Sequence, residues 1–228
     1  MRIKKLAAIA GVILAGALSL PASTVYQYSF GGLGSLGSSS HVFAPVNGPS
    51  SYSITAHGST FGGSQVNLYS KGSSYNFANP WSSSNHESGL GLTNDRSGSH
   101  EITPGSYIVL DLANLAGFSV SSLGLYTTST EGDDSWAIWG WNGNLSGALA
   151  AYLGSGVVHG SDEGLQSLSS FASDRWLGIT ATRGDILLGG FTVSGNPSAT
   201  PEPTSAALMG LAAVGMALLV RKRLSRSA

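Results

Sequence analysis

Between residues 23 and 203 glycine, serine, asparagine and threonine dominate the chain, and the apolar or alternating runs among them last only four to eight residues. Runs of that length between turn formers suit strands and are too short for helices that bury a face. The pattern predicts nine strands, over residues 24–30, 51–57, 65–69, 74–78, 106–112, 118–127, 135–141, 175–181 and 185–193. Helix is expected to be sparse, a turn near 111–116 or 163–169. The segments 31–40, 82–84 and 97–99 read as loops, and 196–200 as the linker that ends the domain.

Alternation says how these strands pack. Tyr107-Ile108-Val109-Leu110-Asp111-Leu112 and the run from Phe118 to Tyr126 each place apolar side chains on one face, which a second sheet would cover. In 135–141, Trp136, Ile138 and Gly140 fall on one face while Ala137, Trp139 and Trp141 fall on the other, so both faces of that strand call for cover. The expected fold class is all-β: a single β-sandwich, jelly-roll-like, over 23–196. No repeat of fixed period is visible, which argues against a solenoid.

The two ends are of another kind. Arg2, Lys4 and Lys5 precede an apolar run from Leu6 to Leu20, and small residues surround Pro21. That is the layout of a signal peptide at 1–22, cut by signal peptidase between about Ser19 and Ser23. Its apolar run is also short against the roughly 20 residues a bilayer core requires. Residues 204–220 carry no charge and are followed by Arg221, Lys222 and Arg223. This predicts a transmembrane helix over 204–220 with a basic stop, the tail 221–228 remaining cytoplasmic and the body outside.

Charge follows the same division. Seven of the eleven basic residues lie in the two ends, leaving Lys71, Arg96, Arg175 and Arg183 against eleven acidic residues between Glu87 and Asp185, so the body carries 4 − 11 = −7. A nucleic-acid partner is excluded on that balance. Cysteine is absent, which removes disulfides, thiolate metal sites and thiol nucleophiles.

Pro201-Glu202-Pro203, the apolar segment and Arg221-Lys222-Arg223 occur in that order at the chain end. The arrangement resembles the PEP-CTERM sorting signal of exported proteins in Gram-negative, exopolysaccharide-producing bacteria. The resemblance implies that 197–203 is a linker carrying the sorting motif and that an exosortase-type sorting protease is the partner. It further implies a single-pass membrane protein before sorting, delivered to the cell surface or extracellular matrix. The prolines would hold the motif extended and accessible. On this reading the chain is a substrate, and no catalytic activity of its own is expected.

Motifs in the body add little chemistry. Gly32-Leu33-Gly34-Ser35-Leu36-Gly37 has the letters of a dinucleotide fingerprint but lacks the strand-loop-helix setting that gives the letters meaning. Neither a nucleophile elbow nor a zinc-protease helix motif is present. Histidines 41, 57, 86, 100 and 159 are scattered singly, and the carboxylates Glu101 and Asp111 are a pair only of the kind any chain contains. Glu131, Asp133 and Asp134 place three carboxylates in four residues between two strands, a candidate site for structural calcium, although Asp and Gly also make ordinary hairpin turns. Asn94-Asp95 and Asp162-Glu163 repeat the theme more weakly. Five tryptophans raise carbohydrate binding as the alternative function, with Trp139 and Trp141 the candidate stacking pair for exopolysaccharide, against burial in the core. No other cofactor is expected.

Overall fold

The computed structural model describes residues 23–94, 98–128 and 133–197. The signal segment 1–22, Glu131, the motif Pro201-Glu202-Pro203, the apolar segment 204–220 and the basic stop Arg221-Lys222-Arg223 lie outside the described residues. Among the described residues no helix is long and apolar enough to cross a membrane. The chain divides into two compact units, 1–196 and 197–228.

The first unit is built from β1 (Thr24–Ser29), β2 (Gly34–Ser35), β3 (Ser40–Phe43), β4 (Ile54–Thr60), β5 (Leu68–Lys71), β6 (Gly89–Leu92) and β7 (Ser106–Asp111). It continues with β8 (Phe118–Thr128), β9 (Ser135–Trp141), α1 (Ala148–Tyr152), β10 (Val158–Gly160), β11 (Gly164–Ser167), β12 (Trp176–Arg183) and β13 (Leu187–Pro197). One sheet has seven strands in the order β11-β8-β13-β6-β5-β2, with β1 also on β13; the other has six, in the order β10-β9-β12-β7-β4-β3. The pairings are antiparallel throughout. From β7 onward the chain crosses repeatedly between sheets, except from β9 to β10, which pair within one sheet. This is a β-sandwich, as the alternation predicts.

The core is what the inward positions supply. Ile108 and Leu110 of β7, Trp136 and Ile138 of β9, Leu177 and Ile179 of β12 and Leu188, Phe191 and Val193 of β13 are buried in one cluster with Tyr28, Phe30 and Ile54. Each such side chain contributes roughly 1.5–3 kcal/mol by leaving water, and two sheets sharing one cluster hold together without disulfides.

Two differences from the sequence reading have physical causes. Residues 74–78 are a loop: Tyr75 and Phe77 alternate because they pack on Tyr126, with centroids 4.9 and 5.5 Å away. The loop is clamped by Asn85, 1 % exposed, whose Oδ1 accepts from the Asn76 amide at 2.9 Å and whose Nδ2 donates to the carbonyls of Asn76, Asn79 and Pro80. Asn85→Ala strands those groups, so we expect a loss of about 1–3 kcal/mol in urea unfolding, with new proteolytic nicks between residues 76 and 88. Unchanged stability and unchanged protease resistance would refute the clamp. Conversely, Gly89-Leu90-Gly91-Leu92, outside the predicted strands, forms β6, entirely buried. A Cβ on Gly91 would sit 1.8 Å from the His100 carbonyl oxygen, so here glycine permits close backbone approach. The predicted turn near 111–116 is present as a short 3-10 helix, Ala113–Leu115, whereas 164–167 within 163–169 is strand β11.

Candidate functional site

Outward positions of the six-stranded sheet carry a second aromatic cluster. Register aligns His57, Val109, Gly178 and Trp139 in one row and Thr55, Asp111, Trp176 and Trp141 in the next. Trp139 lies across Gly178, where a Cβ would come within 2.3 Å of the indole. Trp139 and Trp141 are stacked at 6.4 Å, and Trp141 and Trp176 at 6.0 Å, all nearly parallel. Trp141 Nε1 donates to the Asn144 carbonyl and Trp176 Nε1 to the Gly143 carbonyl, so the loop after β9 is tied down over the stack. Arg175 lies 4.7 Å above the Trp176 ring and makes paired bonds to Asp111 at 3.2 and 3.3 Å.

Ala148, Ala151 and Tyr152 of α1, with Val157 and Phe61, cover this cluster. Both faces of β9 are thus covered, as its alternation required. The same cover corrects the candidate stacking pair: Trp139 is 1 % and Trp141 9 % exposed, so neither offers a ring face to a sugar. The tryptophan left in the open is Trp81, 75 % exposed beside Leu165, Asp162, Glu163 and Gln166.

Next to the covered cluster a groove of about 500 Å³ remains on the same sheet face. His57, Ser59, Tyr107 and Val109 form its floor, Phe61 and Gln65 stand on one side, and Leu145, Ser146 and Leu149 on the other. Phe61 stacks between Tyr107 and Tyr152, at 4.9 and 4.7 Å, which holds its ring in place. Ser39 Oγ donates to Gln65 Oε1 at 3.1 Å, fixing the amide and leaving its nitrogen toward bound groups. His57 is half-buried; burial pushes its imidazole below the ordinary value, which neighbouring Asp111 only partly opposes.

The carboxylates are distributed among structural pairs. Asp133, just before β9, pairs with Arg183 at the end of β12 at 2.6 Å, and Glu163 with His86 at 3.0 Å. Asp111 is held by Arg175 and Glu101 by Lys71, so these two acids have separate cationic partners. Lys71 also pairs with Glu87. Burial pulls the Lys71 ammonium down, but hydrogen bonds to Glu101 and Glu87 outweigh it and its net shift is upward. Asp185 is pushed up to about 6, first by burial, then by Glu101 and Asp134, while Lys71 opposes. Among the described residues no group of three or more His, Asp or Glu is arranged to hold a metal ion. Of the proposed calcium ligands, Asp133 is thus tied to Arg183, Asp134 approaches Asp185, and Glu131 lies outside the described residues. Sequence reasoning did not single out His57 or Gln65 as groove residues, because their nearness depends on the β4–β7 pairing and the turn after β4.

No curated protein and no solved structure matches the chain. The family model described as the PEP-CTERM protein-sorting motif matches residues 199–223, beginning two residues after β13 ends at Pro197. The end of the chain therefore carries a PEP-CTERM sorting motif, which supports an exosortase substrate and implies export toward the cell envelope.

Proposed function

We propose that this protein works at the cell surface or in the extracellular matrix by binding or by structural assembly, with no catalysis of its own. The observation that carries the reading is the sorting motif that follows the last strand of a sandwich in which Glu101, Asp111 and Asp133 are committed to ion pairs. In this reading residues 1–22 are the signal peptide, 204–220 the temporary membrane span, and the sandwich the cargo that exosortase passes on. A carbohydrate-binding role, with exopolysaccharide as the partner, is favoured by the groove between Phe61 and Leu149.

Intact mass of the protein recovered from each compartment of its host tests the sorting step. We expect a species starting between about Ser19 and Ser23 and ending near Pro203. A mature surface form that retains residues 204–228 would overturn cleavage by the sorting enzyme.

A further inference from the structure

We infer that the groove bounded by His57, Phe61, Gln65 and Ser146 binds an uncharged saccharide. This rests on the reading of the sandwich as a binding domain and names the ligand class that the groove selects.

The lining carries the argument. Its thirteen residues include no Asp, Glu, Lys or Arg, although the surrounding body carries a net charge of −7 (4 basic against 11 acidic residues). A ligand rich in carboxylate, sulfate or phosphate would find no cation in the groove and a repulsive field around it. A cationic ligand would find no carboxylate to pair with. What the groove supplies is neutral: serine hydroxyls at 39, 59 and 146, an amide at Gln65 and an imidazole at His57, which burial biases toward its uncharged form. Among the described residues His57 has no hydrogen-bond partner, so its ring donates and accepts toward the groove without breaking an existing bond.

Against these polar groups stand Phe61, Tyr107, Val109, Leu145 and Leu149. A sugar ring has this same double character, an apolar face of C–H bonds and an edge of hydroxyls that both donate and accept. A purely apolar ligand would cover the Gln65 amide nitrogen and the His57 ring without offering either a partner. Volume agrees: about 500 Å³ lies within the range of sites that enclose small ligands. Gly62 and Gly63 make the rim beside Phe61, and a side chain at Gly63 would add to a turn that φ of +84° reserves for glycine.

The test uses the full chain, produced with its own leader and recovered from the host envelope or medium. Neutral gluco-, manno- and galacto-hexasaccharides are titrated by calorimetry, with an oligogalacturonate of the same length as the anionic control. We expect at least one neutral hexasaccharide to bind and the oligogalacturonate not to. Gln65→Ala and His57→Ala should each weaken that binding tenfold or more while melting within two degrees of wild type; Gln65 is exposed, so its variant keeps the test open should His57→Ala unfold the sheet. Trp81→Ala should leave binding unchanged.

Equal or tighter binding of the anionic oligomer would overturn the selectivity. Neutral binding that survives both groove variants, or that disappears with Trp81→Ala, would move the site off this groove. No binding of any hexasaccharide would overturn the inference and leave the sorting reading to be judged by the mass measurement alone.

Discussion

Lys71→Ala is expected to lower the free energy of unfolding by roughly 3–5 kcal/mol, the range for removing one partner of a buried ion pair. Glu101 has a side chain only 5 % exposed, and Lys71 Nζ reaches its Oε1 at 2.7 Å while also binding Glu87. Without the ammonium, Glu101 must stay ionised in a site that water barely reaches or take up a proton. Backbone bonds between Ile102 and Ile186, at 2.8 and 3.1 Å, keep Glu101 and Asp185 side by side, so the strain cannot relax by separation.

The deficit should depend on pH. Asp185 titrates near 6 in the folded protein against 3.8 for the free side chain, so the folded state holds this proton more tightly than the unfolded state. Its stabilisation is complete below about 4 and is lost as pH rises through about 6. Wild type should therefore be more stable at pH 5 than at pH 7.5 from this group, by about 1 kcal/mol or less once its partial exposure is allowed for. Asp185→Asn should flatten that difference. Lys71→Ala should enlarge it, since Lys71 is what draws the Asp185 value down. Urea midpoints at the two pH values decide the matter; identical midpoints for wild type, or a Lys71→Ala protein as stable as wild type, would refute the coupling.

Gly178→Ala is the second large effect, a loss of roughly 3 kcal/mol from overpacking. The new methyl would meet the Trp139 indole at 2.3 Å, and that ring cannot retreat because Trp141, Tyr152 and Phe61 surround it. The three parallel indoles should separate, so the near-ultraviolet circular dichroism should change along with the melting temperature. Gly117→Ala is the comparison: a Cβ there meets nothing within 4 Å, and its effect should stay within about 0.5 kcal/mol. Equal stability of the two variants would show that the indole does not depend on the missing side chain.

The sandwich was legible wherever period-two alternation was long enough to show. β7, β8 and β9 follow directly from Ile108 and Leu110, from the run after Phe118, and from Trp136 alternating with Trp139. β6 was not legible, because glycine marks turns in sequence while Gly89 and Gly91 are required by backbone atoms of Leu188 and His100. β2, β3, β10 and β11 are two to four residues long, too short for a period to register. Tyr75 and Phe77 gave the opposite error, an alternation produced by a loop lying on a sheet. For the site, the sequence placed Trp139 and Trp141 on one face correctly, but whether that face is open is decided by α1 and Phe61, which lie elsewhere in the chain. The sorting motif was the most legible feature because its meaning is carried by order along the chain, with no folding needed to bring its parts together.

The position of β13 has a mechanical consequence. Tension that reaches the domain through residue 197 enters an interior strand, paired with β8 on one edge and with β1 and then β6 on the other. On the β1 side six consecutive residues, 190–195, are in register. A pull along β13 must slide it against both neighbours at once, so many hydrogen bonds resist together, whereas a load entering an edge strand would peel them apart singly. A domain held through this strand is suited to remain folded under a load applied at its C-terminal end.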